Sequence, residues 1–154
     1  MKKAGAWALL VGAVLLLAAQ ESAMAKMVLF SSVSGRVLQD GKPVPGATVE
    51  REFRWAWKDE TGTDATTTGA AGEFAFPKIE RSSFLGSLLP HEPVVRQSLT
   101  IKVNGKTYEA WLLNKHNYND NGEVEGKKPL RLVCRLEAAP ARHPGGYYGI
   151  CELE

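Results

Sequence analysis

The strongest constraint on the fold is the pair Asn104-Gly105, set between "QSLTIKV" and "KTYEAWLL". Asn-Gly between two alternating segments is the sequence of a two-residue hairpin turn, because both central positions need positive φ. A two-residue turn sets the register. Val103 then faces Lys106, Ile101 faces Tyr108, and Leu99 faces Ala110. One face of this predicted hairpin carries Leu99, Ile101, Val103, Tyr108, Ala110 and Leu112, and the other carries Thr100, Lys102, Thr107, Glu109 and Trp111. Such alternation is expected of a sheet with one buried and one wet face.

The rest of the chain from Lys26 onward has the same character. "MVLFSSVSGRVLQ" leads into Asp40-Gly41, a second hairpin-type turn. In "ATVEREFRWAW", Val49, Arg51, Phe53 and Trp55 share one face, opposite Thr48, Glu50, Glu52 and Arg54. "TDATTT", "GEFAF", "LRLVCRLE" and "YYGICELE" read as further strands, separated by Gly, Pro, Asn and Asp. "ERSSFLGSLLP" has room for a single helical turn, limited by Gly86 and Pro90, and Asn114–Lys128 reads as a long, mobile polar loop. Seven or eight short strands with almost no helical period predict an all-β sandwich.

The N-terminus belongs to a different kind of sequence. Lys2 and Lys3 precede an apolar run from Ala4 to Ala19, and Ala23-Met24-Ala25 follows. That is the pattern of a cleavable signal peptide over residues 1–25, with residues 26–154 as a single exported domain and no membrane anchor. The expected location is the periplasm. Beyond the signal the charges nearly balance, which argues against nucleic acid and anionic membrane as partners. Cys134 and Cys151 are expected to form a disulfide, worth about 3 kcal/mol by loop-closure entropy.

"VSGRVLQDGKPVPGATVE" followed by "TTTGAAGEFAFP" resembles the carboxypeptidase regulatory-like domains of the transthyretin-like sandwich class, over roughly Val33 to Pro77. The shared pattern is Gly-x-Val, then Gly-x-Pro-Val-x-Gly-Ala-x-Val, then Thr-Thr-x-x-x-Gly-x-Phe-x-Phe. "GSLLPHEPVVRQ", the hairpin ending in "WLLNK", and a late "GICELE" are further similar to a group of small bacterial proteins whose sandwich carries a His-Glu-Pro insert. This chain departs from them by one extra residue in the insert and by its export signal. Small envelope proteins of this general kind resemble immunity partners of antibacterial type VI secretion effectors, notably phospholipases. The resemblance implies a monomer that occludes a toxic lipase or phospholipase.

Catalytic and metal chemistry find little support in the residues. His91, Glu92, His116, Asp120 and His143 have no metal-ligand spacing. "NYNDNGEVEGKK" begins like a calcium loop but places Lys128 where a bidentate carboxylate is required. There is no nucleophile elbow. No catalytic residue, metal or cofactor is therefore assigned. His91, Glu92 and Arg96 are expected to form a structural corner, with His91 on a backbone carbonyl and Glu92 paired to Arg96. Trp57, Asp59, Glu60, Phe84, Leu85, Leu88, Leu89, Tyr118, Asp120, Glu123 and Glu125 are the candidate partner-binding residues, as apolar and acidic side chains on loops. Two alternatives follow from other residues. Trp55, Trp57 and Trp111 exposed on one face would make a carbohydrate- or small-ligand-binding envelope module, and convergent His91, His116 or His143 with an arginine would make a hydrolase of small cyclic amides.

Overall fold

The computed structural model describes residues 25–126 and 128–154. The proposed signal peptide falls almost wholly outside them. Thirteen strand segments are present among the described residues: β1 Lys26–Phe30, β2 Val33–Gln39, β3 Lys42–Pro43, β4 Thr48–Trp55, β5 Glu60–Thr67, β6 Glu73–Phe76, β7 Ile79–Ser82, β8 Val95–Val103, β9 Lys106–Lys115, β10 Leu130–Arg135, β11 Ala141–Arg142, β12 Tyr148–Gly149 and β13 Cys151–Leu153. One short α-helix, α1, covers Phe84–Leu88, and Ala56–Lys58 form a single 3-10 turn. The excess over the expected seven or eight strands consists of pieces of two to five residues.

Two main sheets form an all-β sandwich. One has six strands in the order β11-β12-β9-β8-β4-β5. The other runs β13-β10-β2-β3, with β6 also paired to β2, and a small β1-β7 ribbon completes the domain. Phe30, Val37, Val49, Trp55, Leu99, Ile101, Leu130 and Leu132 are core residues drawn from both main sheets and the ribbon. Alternation explains β4: Val49, Arg51, Phe53 and Trp55 are buried and their neighbours are not.

Arg51 is the one charged member of that buried row, 1% exposed. Its guanidinium makes two bonds to Asp64 and one to the Pro77 carbonyl. It also lies over the Phe76 ring at 4.7 Å. A buried arginine is tolerated when its donors are satisfied and its planar face is covered, as here.

Both dipeptide turns have positive φ at each position, Asp40 50° with Gly41 77°, and Asn104 51° with Gly105 72°. Ile101 and Val103 take the expected partners, Tyr108 and Lys106. The expected register fails two residues further on. Leu99 faces Trp111 rather than Ala110, because the pairing slips by one residue between Leu99 and Thr100. This β-bulge inverts the alternation beyond it. Trp111, Leu113 and Lys115 turn to the core, while Leu112 becomes only half-buried.

The bulge has a partner. The C-terminal chain crosses there, with the Ile150 N–H donating to the Glu109 carbonyl and Tyr148 paired with Leu112. Gly149, at φ 144°, passes so close that a Cβ would lie 2.2 Å from the Ala110 oxygen. Cys134 and Cys151 face each other on β10 and β13 and are disulfide-bonded.

Candidate functional site

The site grows out of the connection between β7 and β8. Ser83 begins α1 as an N-cap, its Oγ accepting from the Gly86 N–H at 3.0 Å. The Ser87 N–H and Oγ both bond the Ser83 carbonyl, and the Leu89 N–H closes on Leu85. The start of β1 lies along the other flank, where the Met27 methyl reaches Gly86. Gly86 permits this approach, since a Cβ there would meet the Met27 methyl at 2.5 Å. The fixed helix holds four large apolar residues in solvent: Phe84 55%, Leu85 54%, Leu88 62% and Leu89 48% exposed. They are the large hydrophobic residues exposed among those described, and all four fall within six residues of the chain.

Pro90-His91-Glu92-Pro93 supports the helix from below. His91 Nδ1 lies 3.0 Å from the Leu89 carbonyl, and Nε2 lies 2.8 Å from Tyr118 Oη. Trp57 stacks on the imidazole with centroids 4.0 Å apart. Trp55 Nε1–H donates to the same Tyr118 oxygen at 2.9 Å. The polarity of this chain can be assigned. Tyr118 accepts from Trp55 and gives its own proton to His91 Nε2. Nδ1 therefore carries the proton that the Leu89 carbonyl accepts. Burial raises the Tyr118 hydroxyl above its ordinary pKa, against the opposing hydrogen bond from Trp55.

The ion pair expected between Glu92 and Arg96 is not formed. Glu92 lies out in solvent, 3.7 Å from His116 Nδ1. Arg96 sits on the exposed face of β8, because Val95 and Gln97 take the inward positions on either side of it.

The polar loop beyond β9 is pinned rather than loose. Lys115 Nζ bonds the Val28 and Asn119 carbonyls at 3.1 and 2.7 Å and pairs with Glu123 Oε1 at 3.2 Å. Glu123 also accepts from the Ser31 N–H, Ser31 Oγ and Gln97 Nε2. Ser31 Oγ in turn accepts from the Asn121 N–H. Desolvation pushes the Lys115 ammonium below its ordinary pKa, and the Glu123 charge opposes that shift. The Asn-rich loop thus closes on a lysine ammonium of the chain itself, through the Asn119 carbonyl and the Glu123 carboxylate.

These contacts reassign several residues expected to meet a partner. Glu123 is buried at the centre of the network, which its place in a polar sequence did not suggest. Tyr118 is half-buried between Trp55 and His91, and Trp57 is half-buried against His91. Asp59, Glu60 and Asp120 engage Arg54, Arg81 and Lys78 at 3.1, 2.6 and 3.2 Å. Glu125 is exposed. Phe84, Leu85, Leu88 and Leu89 alone remain as an open apolar surface.

The other two arrangements are corrected as well. Trp55 and Trp111 are 2% and 1% exposed, so the tryptophans do not make a sugar-binding platform. The histidines do not converge either. His91 is under α1, and His116 is beside Glu92. His143 bonds the Gly149 carbonyl and stacks on Tyr147. Among the described residues no three His, Cys, Asp or Glu side chains gather as a metal site.

Fold and site together define a disulfide-linked β-sandwich that carries an apolar helical tip. The model of a family described as "Domain of unknown function (DUF6795)" matches residues 33–139, and the chain belongs to that family. The match takes in α1, Lys115 and the loop with Glu123, but not Val28 or Ser31, and stops before β11. No curated protein and no solved structure matches the chain.

Proposed function

We propose that this protein is an exported binding domain that neutralises another protein by docking on it. Its role is that of a periplasmic immunity protein against a type VI secretion effector of the lipase or phospholipase class. The observation that carries the reading is the open apolar surface of Phe84, Leu85, Leu88 and Leu89 on a helix capped by Ser83 and backed by Met27 of β1. An exposed apolar patch on a small soluble domain is a recurring mark of an interaction site. Because the backbone beneath is already hydrogen-bonded, docking costs little ordering entropy. Covering what remains exposed of each side chain contributes on the order of 1 kcal/mol. The signal-like N-terminus and the resemblance to envelope immunity proteins support the compartment and the partner class. The domain is a monomer before it binds.

The test is genetic and uses the patch. A strain lacking the gene is exposed to toxin-delivering siblings and complemented with the wild-type gene or with the Phe84→Ser/Leu88→Ser variant. Wild type should restore survival and the variant should not, although it exports to the same level. Equal survival of the deletion strain against every sibling toxin would remove the immunity reading.

A further inference from the structure

The margin of the six-stranded sheet offers a second surface, made of backbone rather than side chains. A free edge is a row of unpaired N–H and C=O groups, and folded proteins blunt such edges with short strands, lysine, proline or bulges. Most margins here are blunted by shortness: β11 and β3 have two residues each, β13 has three, and β6 and β7 have four. β1 has five, and its Val28 N–H is already given to the Tyr118 carbonyl.

β5 is longer than all of these. It has eight residues, all eight pair with β4 without a register shift, and it is outermost in its sheet. Among the described residues no other hydrogen bond reaches its backbone. "ETGTDATT" contains neither lysine nor proline, and its side chains beyond Glu60 are short. Its one central charge, Asp64, is partly exposed but neutralised by the two Arg51 bonds, so no unpaired charge stands on the strand. Phe53 lies across Gly62 so closely that a Cβ there would be 2.3 Å from its ring. The ring covers the weakest point of the strand, which carries no bulge.

We infer that β5 is a strand-addition site, which takes up an extended segment of a partner polypeptide as the next strand of the sheet. Strand addition draws affinity from main-chain bonds and specificity from alternate side chains. Half of the β5 residues direct both N–H and C=O outward. Thr61, Thr63, Ala65 and Thr67 lie on one face, and on the other Glu60 and Asp64 are already paired with Arg81 and Arg51, so the segment that fits is uncharged and rich in β-branched residues such as threonine and valine. It needs at least about six residues, roughly 20 Å. These residues are separate from the α1 patch, and the inference does not depend on that patch's role.

The probe is a phage-displayed library of random decapeptides selected on the whole protein, with selected peptides mapped by amide hydrogen exchange. The expected result is at least 10-fold slower exchange confined to the outward amides of β5, with Leu88→Ser binding as well as wild type. Ala65→Pro and Thr66→Pro separate binding from folding. Neighbouring residues alternate, so one variant loses an outward N–H and the other a bond to β4. The variant that keeps wild-type stability should lose at least 10-fold in peptide affinity. The inference is overturned if no peptide is selected, if selected peptides protect α1 or another surface, or if that stable proline variant binds normally. Concentration-dependent protection of β5 without peptide would also overturn it, in favour of a second copy of the chain.

Discussion

Lys115 Nζ stands 3.2 Å from Glu123 Oε1, and neither side chain has any exposed surface. The pair joins the end of β9 to the loop that follows it, and through Ser31 and Val28 it joins both to the ribbon strand β1. Removing one partner of a buried pair leaves an uncompensated charge, a larger loss than the pair's own net contribution.

Glu123→Gln should therefore cost about 3–5 kcal/mol. Replacing both residues, as in Lys115→Met/Glu123→Leu, should recover a large part of that loss. Urea unfolding of the two variants and wild type checks this. If the double variant is no more stable than Glu123→Gln, the loss comes from the surrounding hydrogen bonds rather than from the stranded lysine.

The His91–Tyr118–Trp55 chain predicts a tautomer. Imidazole nitrogen NMR at neutral pH should find the His91 proton on Nδ1. In Tyr118→Phe, which removes the donor to Nε2, that tautomer should lose its preference. A dominant Nε2–H form in wild type would mean that the chain runs in the opposite sense.

Alkaline pH should weaken the fold through two phenols, one buried and one half-buried. Burial raises Tyr118 and Tyr147 above the ordinary tyrosine value of 10.0. Between the unfolded and folded pKa values the unfolded phenols have lost protons that the folded ones keep. The stabilisation is therefore whole below about pH 10 and is lost as pH rises through the folded values. Lys115, displaced downward, acts in the opposite sense, so the informative quantity is a difference. Tyr118→Phe should show a shallower alkaline loss than wild type in denaturant midpoints measured from pH 8 to 11.

Gly149→Ala tests the crossing at the bulge. The substitution combines φ 144° with a Cβ 2.2 Å from a backbone oxygen. It should destabilise by about 2 kcal/mol or more, judged from the strain of such conformations. Hydrogen exchange should speed up first at Ile150, whose N–H bonds Glu109.

The disulfide should matter through the unfolded chain. Cys134→Ala/Cys151→Ala should cost about 3 kcal/mol by loop-closure entropy. β13 is the element expected to fray, since its ladder is only three residues long.

Much of the fold was legible in the residues. Asn104-Gly105 and Asp40-Gly41 announced their turns, alternation placed Val49, Phe53 and Trp55 inward, and the cysteine pair closed as expected. These features are local: a dihedral requirement or a period of two is written into neighbouring residues. Phe84, Leu85, Leu88 and Leu89 were also visible as too apolar for a connection.

What the sequence by itself determined was which segments are strands and where they turn. Tertiary structure decided what the side chains face. The bulge at Ala110 depends on Gly149, nearly forty residues later, and it carried Trp111 from the predicted wet face into the core. Glu123 looked like one acid among several in a polar loop until Lys115, Ser31 and Gln97 closed around it. A backbone period is a property of adjacent residues. Burial of a charge, or a one-residue slip in register, depends on which distant segment arrives to satisfy it, and only the folded chain contains that segment.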